Sequence, residues 1–154
     1  MKSMFIATGT NLGNRLLNLQ EAKSSLLNHF NLIKESRIYE SPAVDYLNQP
    51  DFYNQVLEFN LPSFSASEVM NTLLQIEQQM GRNRDIPKGP RIIDLDILFY
   101  GDLHIDSEHI HIPHPRLFER SFVVLPLSEL PGFKLLQQKY NFRLEFTNSA
   151  TPLS

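Results

Sequence analysis

Cysteine is absent from the 154 residues of this chain. That absence excludes a disulfide framework, a thiolate metal site and a thiol nucleophile. Also missing is any run near the ~18 consecutive apolar residues that a membrane-spanning helix needs. The segment Met1 to Gly9 has a short apolar run ending in a glycine turn, without the apolar core and cleavage site of a secretory signal. We therefore expect a cytoplasmic protein with no membrane segment. There is no basic surplus either. The formal net charge is −3, which argues against a general nucleic-acid binder. Internal repeats, low-complexity blocks and linkers are lacking, so one domain over residues 1–154 is expected. With 42% apolar and 20% charged residues, the composition is that of an ordinary globular protein.

What is present reads as alternating elements. Met4 to Thr8 is a short apolar strand. Leu16 to Phe30 carries Leu16, Leu19, Ala22, Leu26 and Phe30 at the three- and four-residue spacing of an amphipathic helix. Ile33 to Tyr39 and Tyr53 to Asn60 read as strands that pair antiparallel across a long connection, Glu40 to Asp51. The second helix is marked at both ends. Ser65 and Glu68 form a capping box, Val69, Leu73, Ile76 and Met80 form the apolar stripe, and Gly81 is the stop signal. Ile92 to Tyr100 is a strand ending at Gly101-Asp102. A loop with a helical turn is predicted over Pro113 to Arg120, then an amphipathic run from Phe122 to Leu130. The tail after Leu135 shows no pattern. The order strand, helix, strand, strand, helix, strand is the split βαβ plan. The expected fold is α+β: a ferredoxin-like antiparallel sheet with helices packed on it, plus C-terminal extras.

The chemistry concentrates in two neighbouring stretches. From Arg82 to Arg91 the chain reads RNRDIPKGPR, a local surplus of three positive charges in an acidic protein. A confined basic loop suits a small polyanion, and arginine forks match phosphate oxygens. A solvated loop is the plainer account of these residues taken alone. Directly after it comes the strand Ile92 to Tyr100. Alternation turns Ile93, Leu95, Ile97 and Phe99 to one face and Asp94 and Asp96 together to the other, with Cα atoms ~6.6–6.8 Å apart. Neighbouring carboxylates repel unless a cation lies between them, and an all-oxygen donor pair suits magnesium. Cations for phosphate beside carboxylates for magnesium are the parts of a phosphoryl-transfer site. Two acids on a solvent-facing strand would look the same.

Three further groups are weaker. Phe52 and Asn54 share a strand face, an aromatic plate beside an amide that suits a flat heterocycle; a half-buried strand of average composition has the same letters. His104, His109, His111 and His114 admit a zinc reading, though His114 lies across Pro113 and, with Arg116 and Arg120, also suits phosphate. Gly9-Thr10-Asn11-Leu12-Gly13 lacks the Lys-Ser/Thr ending of a phosphate-binding P-loop and is read as a strand-to-helix turn. Glu77, one helical turn before the basic loop, either anchors an arginine or sits on the rim. A ferredoxin-like nucleic-acid module and a zinc-binding regulatory domain stand as alternatives, the first opposed by the negative charge and the missing aromatic-basic pattern.

Taken in order, certain segments resemble the 6-hydroxymethyl-7,8-dihydropterin pyrophosphokinases of folate synthesis. They are Gly9 to Gly13, Glu40-Ser41-Pro42, Gln49 to Phe52 with Asn54, Glu77 with Gly81 to Arg84, Gly89-Pro90-Arg91 through Asp94-Leu95-Asp96, Pro113 to Arg116, and Arg120-Ser121-Phe122. The resemblance implies transfer of pyrophosphate from ATP to the pterin's hydroxymethyl oxygen by a monomer, with two magnesium ions on Asp94 and Asp96. It implies catalytic roles for Arg82 and Arg91. It implies ATP contacts from Glu77, Arg82, Arg84, Arg91, Ile97, His114 and Arg120. It implies a pterin between Phe52 and Phe122, read by Asn54 and by the backbone near Ser41, Pro42 and Val44. The segment Asp85 to Gly89 is expected to act as a closing lid. Lys88 stands where some members of that family carry tryptophan.

Overall fold

The structure is a computed structural model that describes residues 2–43, 48–82, 90–147 and 149–153. Along these the chain forms β1 (Ser3–Thr10), α1 (Arg15–Leu27), β2 (Leu32–Glu35), β3 (Tyr39–Ser41), β4 (Phe52–Asn60), α2 (Ala66–Gln79) and β5 (Asp94–Tyr100). A small hairpin follows, β6 (Ile105–Asp106) with β7 (His111–Ile112), then a 3-10 turn (Leu117–Glu119), α3 (Ser121–Leu127), α4 (Phe133–Gln137) and β8 (Thr151–Pro152). No helix among the described residues is long and apolar enough to cross a membrane.

The main sheet has the order β5-β1-β4-β3-β8, with β2 also paired to β4. Strand β1 runs antiparallel to both β4 and β5. This is the expected ferredoxin-like arrangement. The predicted strand Ile33 to Tyr39 is in fact two strands laid end to end along β4, Leu32 opposite Phe59 and Ser41 opposite Phe52. Ser36 makes the break. Its backbone N–H donates to Val56 O at 2.9 Å, and its hydroxyl accepts from Val56 N at 3.0 Å, so a side chain stands in for a ladder partner.

Both helix starts are capped by side chains. Asn14 caps α1 by accepting from Leu17 N at 3.1 Å. Ser65 and Glu68 close the predicted capping box at α2. The α1 stripe is narrower than its spacing suggests. Leu19, Ala22 and Leu26 are buried, whereas Leu16 is 52% exposed and Phe30 is buried beyond the helix end.

Alternation divides the sheet into two faces. On one, Met4, Ile6, Leu57, Phe59, Ile93, Leu95 and Ile97 pack against the buried stripes of α1 and α2. On the other, Phe5, Val56, Leu98 and Phe99 pack against Leu117, Val123, Leu127, Leu130, Phe133 and Leu136. Phe99 lies on the face opposite to the predicted one. The register of β1 with β5 shifts between Phe5 and Ile6, so that Phe5 opposes Phe99 while Ile6 opposes Ile97. The extra residue, Leu98, forms a β-bulge, and beyond it the strand shows its other side. Phe99 then meets Phe5 edge to face with ring centroids 6.0 Å apart.

This second core is fixed at its edge by a buried carboxylate. Glu58, 2% exposed, accepts from Ser3 Oγ at 2.7 Å and from Gly132 N at 2.9 Å. A Cβ on Gly132 would stand 2.6 Å from Glu58 Oε2 and 2.7 Å from Phe5 Cζ. Neither atom belongs to a flexible surface group, so Gly132→Ala is expected to destabilise the chain by ~1–3 kcal/mol through overpacking. Urea denaturation of the two chains measures the difference; equal midpoints would remove Gly132 from the packing argument.

Candidate active site

The second face of the sheet is covered only along part of its length. Toward one end its residues turn polar, and there a cavity opens. The cavity is lined from β1 by Ala7 and Gly9, from β3 by Ser41 and then Pro42, from β4 by Phe52 and Asn54, and from β5 by Asp94, Asp96 and Leu98. The far wall comes from His114, Arg116, Leu117, Arg120, Phe122 and Val123, and Arg91 closes the side near Asp94. The predicted pairs Phe52/Asn54 and Asp94/Asp96 thus share one face, and Phe122 faces the same space from α3.

Gly9, read as part of a turn, lies inside β1 on the floor of this cavity. It pairs with Asn54 on one side and with Asp94 on the other. A Cβ there would come within 3.0 Å of Asn54 Oδ1 and 3.9 Å of Phe52 Cδ1. Glycine therefore keeps the floor low between the amide and the carboxylate. Asn54 is held from the next strand: its Nδ2 donates to Ser41 Oγ at 2.9 Å, which leaves Oδ1 to accept from a ligand N–H.

The carboxylates are held from behind. Leu95, between them, points into the helix-side core, and its backbone N–H donates to Glu77 Oε2 at 2.8 Å. Glu77 is 3% exposed, so it is a buried anchor and not a rim group. The same oxygen accepts from Arg82 Nη1 at 2.6 Å, and that nitrogen also donates to Asp94 Oδ1 at 2.8 Å. Arg82 reaches this position because the chain turns away just past α2 at Gly81, whose φ of +84° suits glycine. Arg91 Nη1 donates to Asp94 Oδ2 at 3.2 Å. The backbone of Arg91 is fixed by Asn11, whose side-chain Oδ1 accepts from Arg91 N at 2.9 Å and whose own N–H donates to Arg91 O at 3.1 Å. Asn11 Nδ2 also donates to Gln49 Oε1 and Pro50 O. The sequence offered a signal for this residue only as part of Gly9 to Gly13.

The charges act on one another. Burial, reinforced by Asp94 and Glu77, pushes the Asp96 carboxyl up to about 7, against the opposing pull of Arg120 and Arg82. Burial and the neighbouring Arg120 push the His114 imidazole down from its usual value. Its Nδ1 accepts from Arg116 N at 3.3 Å, so the neutral ring carries its proton on Nε2. Two neighbouring carboxylates in a shared cavity, an all-oxygen donor set, fit a divalent hard cation. Arg82 Nε is buried with no hydrogen-bond partner among the described residues, a donor suited to an incoming anion.

Ile97 stands apart from the other candidates. Its side chain packs in the helix-side core, and Leu98 lines the cavity instead, so any ligand contact at Ile97 goes through backbone. The histidines do not gather. His111 Nδ1 pairs with Asp106 at 2.6 Å, His104 Nε2 with the Tyr140 hydroxyl at 3.1 Å, and His109 lies in the turn between β6 and β7, not on a strand face with His111. Val44 and Arg84, with the expected lid Asp85 to Gly89, fall outside the described residues.

Comparison with known proteins is decisive for the family. Residues 5–132 match the model of the 7,8-dihydro-6-hydroxymethylpterin-pyrophosphokinases. This chain belongs to that family. It is 39% identical over 128 residues to the 2-amino-4-hydroxy-6-hydroxymethyldihydropteridine pyrophosphokinase of Bacillus subtilis, covering 82% of this chain and 76% of the relative. It is 41% identical over 132 residues to a folic acid synthesis protein of Pneumocystis carinii, covering 85% of this chain but only 18% of that protein's length. A mitochondrial folate synthesis bifunctional protein of Arabidopsis thaliana is 41% identical over 128 residues, with 23% of its length covered. The fold is shared with the crystal structure of wild-type Plasmodium falciparum HPPK-DHPS bound to pterin and p-hydroxybenzoate, at a TM-score of 0.65 and 15% identity over 96% of this chain and 40% of that one.

Glu77 is the joint between helix α2, the first arginine and the strand that bears the carboxylates. Among the described residues, Glu77→Ala removes the acceptor shared by Arg82 Nη1 and Leu95 N. We expect a loss of ~2–4 kcal/mol of stability, read by urea denaturation monitored by circular dichroism. A loss below ~0.5 kcal/mol, the range of ordinary surface substitutions, would show that the joint is not structural.

Proposed function

We propose that this protein transfers the terminal pyrophosphate of ATP to the hydroxymethyl oxygen of 6-hydroxymethyl-7,8-dihydropterin and releases AMP. The observation that carries the reading is the way two halves of one cavity are stitched together by arginine on phenylalanine. Arg91 Cζ lies 5.7 Å from the Phe52 ring centre, and Arg120 Cζ lies 5.8 Å from that of Phe122. Each aromatic plate suited to a flat heterocycle thus has a phosphate-binding cation at its border.

In this reading the pterin lies between Phe52 and Phe122 over Gly9. Asn54 and the backbone near Ser41, Pro42 and Val44 read its edge. Asp94 and Asp96 would hold two magnesium ions. Magnesium bound there would neutralise the triphosphate and favour in-line geometry at the attacked phosphorus. Arg91, His114 and Arg120, with Arg84 and the backbone at Ile97, bind the nucleotide. Arg82 and Arg91 bear on the oxygens where charge moves, since a phosphoryl-type transition state needs alignment and neutralisation above all. Glu77 acts through Arg82.

Two sets of variants test the two halves. Asp94→Ala and Asp96→Ala should each lower AMP formation from ATP, magnesium and the pterin alcohol by on the order of 10²–10³. Near-normal turnover at ordinary magnesium, or formation of ADP instead of AMP, would overturn the assignment. Phe122→Ala and Asn54→Ala should weaken pterin binding by ~1–3 kcal/mol each while sparing a non-hydrolysable ATP analogue. Calorimetry with each ligand separates them, and unchanged pterin affinity in both variants removes the named acceptor while leaving the phosphate site in place.

A further inference from the structure

The family match ends at residue 132, yet the chain returns to the site after it. Strand β8 lies on the outer edge of β3, Tyr39 opposite Pro152 and Glu40 opposite Thr151. Leu153 N donates to Ile38 O at 3.0 Å. One residue before β8, Ala150 is buried, and its N–H donates to the Ser121 hydroxyl at 2.9 Å, a contact that is itself buried. Ser121 opens α3 between Arg120 and Phe122. So five residues join the strand that carries Ser41 to the turn of helix that carries Phe122, and these two elements are opposite walls of the acceptor half of the cavity.

The far end of α3 is fixed to the same strand without the tail. Glu129, just past the helix, accepts from Arg37 N at 2.8 Å, from Arg37 Nε at 2.9 Å and from the Tyr39 hydroxyl at 2.5 Å. With that end held, the described hydrogen bond between Ser121 and Ala150 sets how far the Phe122 end stands from β3. The hydrogen bond from Asn54 Nδ2 to Ser41 Oγ carries the same constraint into the floor of the cavity.

We propose that residues 149–153 are a strap that positions the acceptor wall, with Ser121 and Ala150 as its positioning residues, and that it tunes affinity for the pterin. The proposal rests on the pterin reading above. Its contacts are backbone pairing and one buried hydroxyl bond, so its effect is on the spacing between two walls and not on any reacting atom.

The test compares the full chain with Ser121→Ala, Ser121→Thr, a chain ending at residue 147, and that shortened chain carrying Ser121→Ala. Pterin affinity is read by calorimetry with magnesium and a non-hydrolysable ATP analogue present, and affinity for the analogue is read alone. Ser121→Ala should weaken pterin binding about fivefold, the effect of one hydrogen bond, and more than it weakens nucleotide binding. Ser121→Thr, which keeps the hydroxyl, should restore it. In the shortened chain Ser121→Ala should have a smaller effect than in the full chain, because the bond to Ala150 is gone. Equal losses for both ligands, unchanged pterin affinity in Ser121→Ala, or additive losses overturn the strap. If the shortened chain does not fold, the alanine and threonine variants carry the test. If the full chain binds no pterin, it is the acceptor reading that fails. Amide exchange at Tyr39 to Ser41 then decides the strap alone: faster exchange in Ser121→Ala supports it and unchanged exchange overturns it.

Discussion

Two carboxylates on one face of a strand, lining one cavity, need positive charge beside them, and the site is built around that need. Asp94 and Asp96 share the second face of β5. Burial, with repulsion from Asp94, pushes the Asp96 carboxyl up. Arg82 and Arg91 answer at Asp94 through direct hydrogen bonds, and Arg120 acts on Asp96 from the far wall. The chain could not leave these aspartates where they are without the arginines, nor hold the arginines there without Glu77 and Asn11 to fix them. Positions as distant in sequence as 11, 77, 91 and 120 are tied together by the electrostatics of one strand.

The sheet contributes by changing character along its second face. Phe5, Val56 and Phe99 are covered by α3 and α4, while Gly9, Asn54 and Asp94, further along the same three strands, line the cavity. The bulge at Leu98 marks the change. On its polar side β5 presents Asp94 and Asp96 to the cavity, and on its apolar side it turns Phe99 under α3. A regular strand would have sent Phe99 into the helix-side core and left Tyr100 beneath α3. The bulge therefore lets one strand serve the site and the second core at once.

What could be read from the sequence was what local chemistry dictates. The capping box at Ser65, the stop at Gly81, the pairing of Asp94 with Asp96 and of Phe52 with Asn54 follow from spacing alone, because each depends on residues two to five positions apart. Glu77 and Arg82 also lie within that range. The Leu98 bulge left no trace, since Leu98, Phe99 and Tyr100 are apolar or aromatic whichever way they turn. The break at Ser36 was hidden because Ser36 can either continue a strand or cap it. Asn11 works by bridging to residues 49, 50 and 91, and no periodicity announces a contact of that reach. The tail was illegible for the same reason. A two-residue strand has no pattern of its own, and β8 exists because β3 offers it an edge.

Arg82 shows how the resting arrangement prepares for an anionic ligand. Its Nη1 is divided between Glu77 and Asp94, while its Nε is buried without a partner among the described residues. A buried guanidinium N–H without an acceptor costs ~1–3 kcal/mol. The cost is tolerated because the two carboxylates hold the rest of the group, and it is relieved by any oxygen anion that reaches Nε. Under the proposed reading a cation at Asp94 would act in the same direction, since it would compete with Arg82 for that carboxylate and free the guanidinium for the anion. In that reading metal and phosphate would then favour each other's binding through Arg82, the metal by competing at Asp94 and the phosphate by engaging Nε, and by linkage the coupling must be equal in both directions.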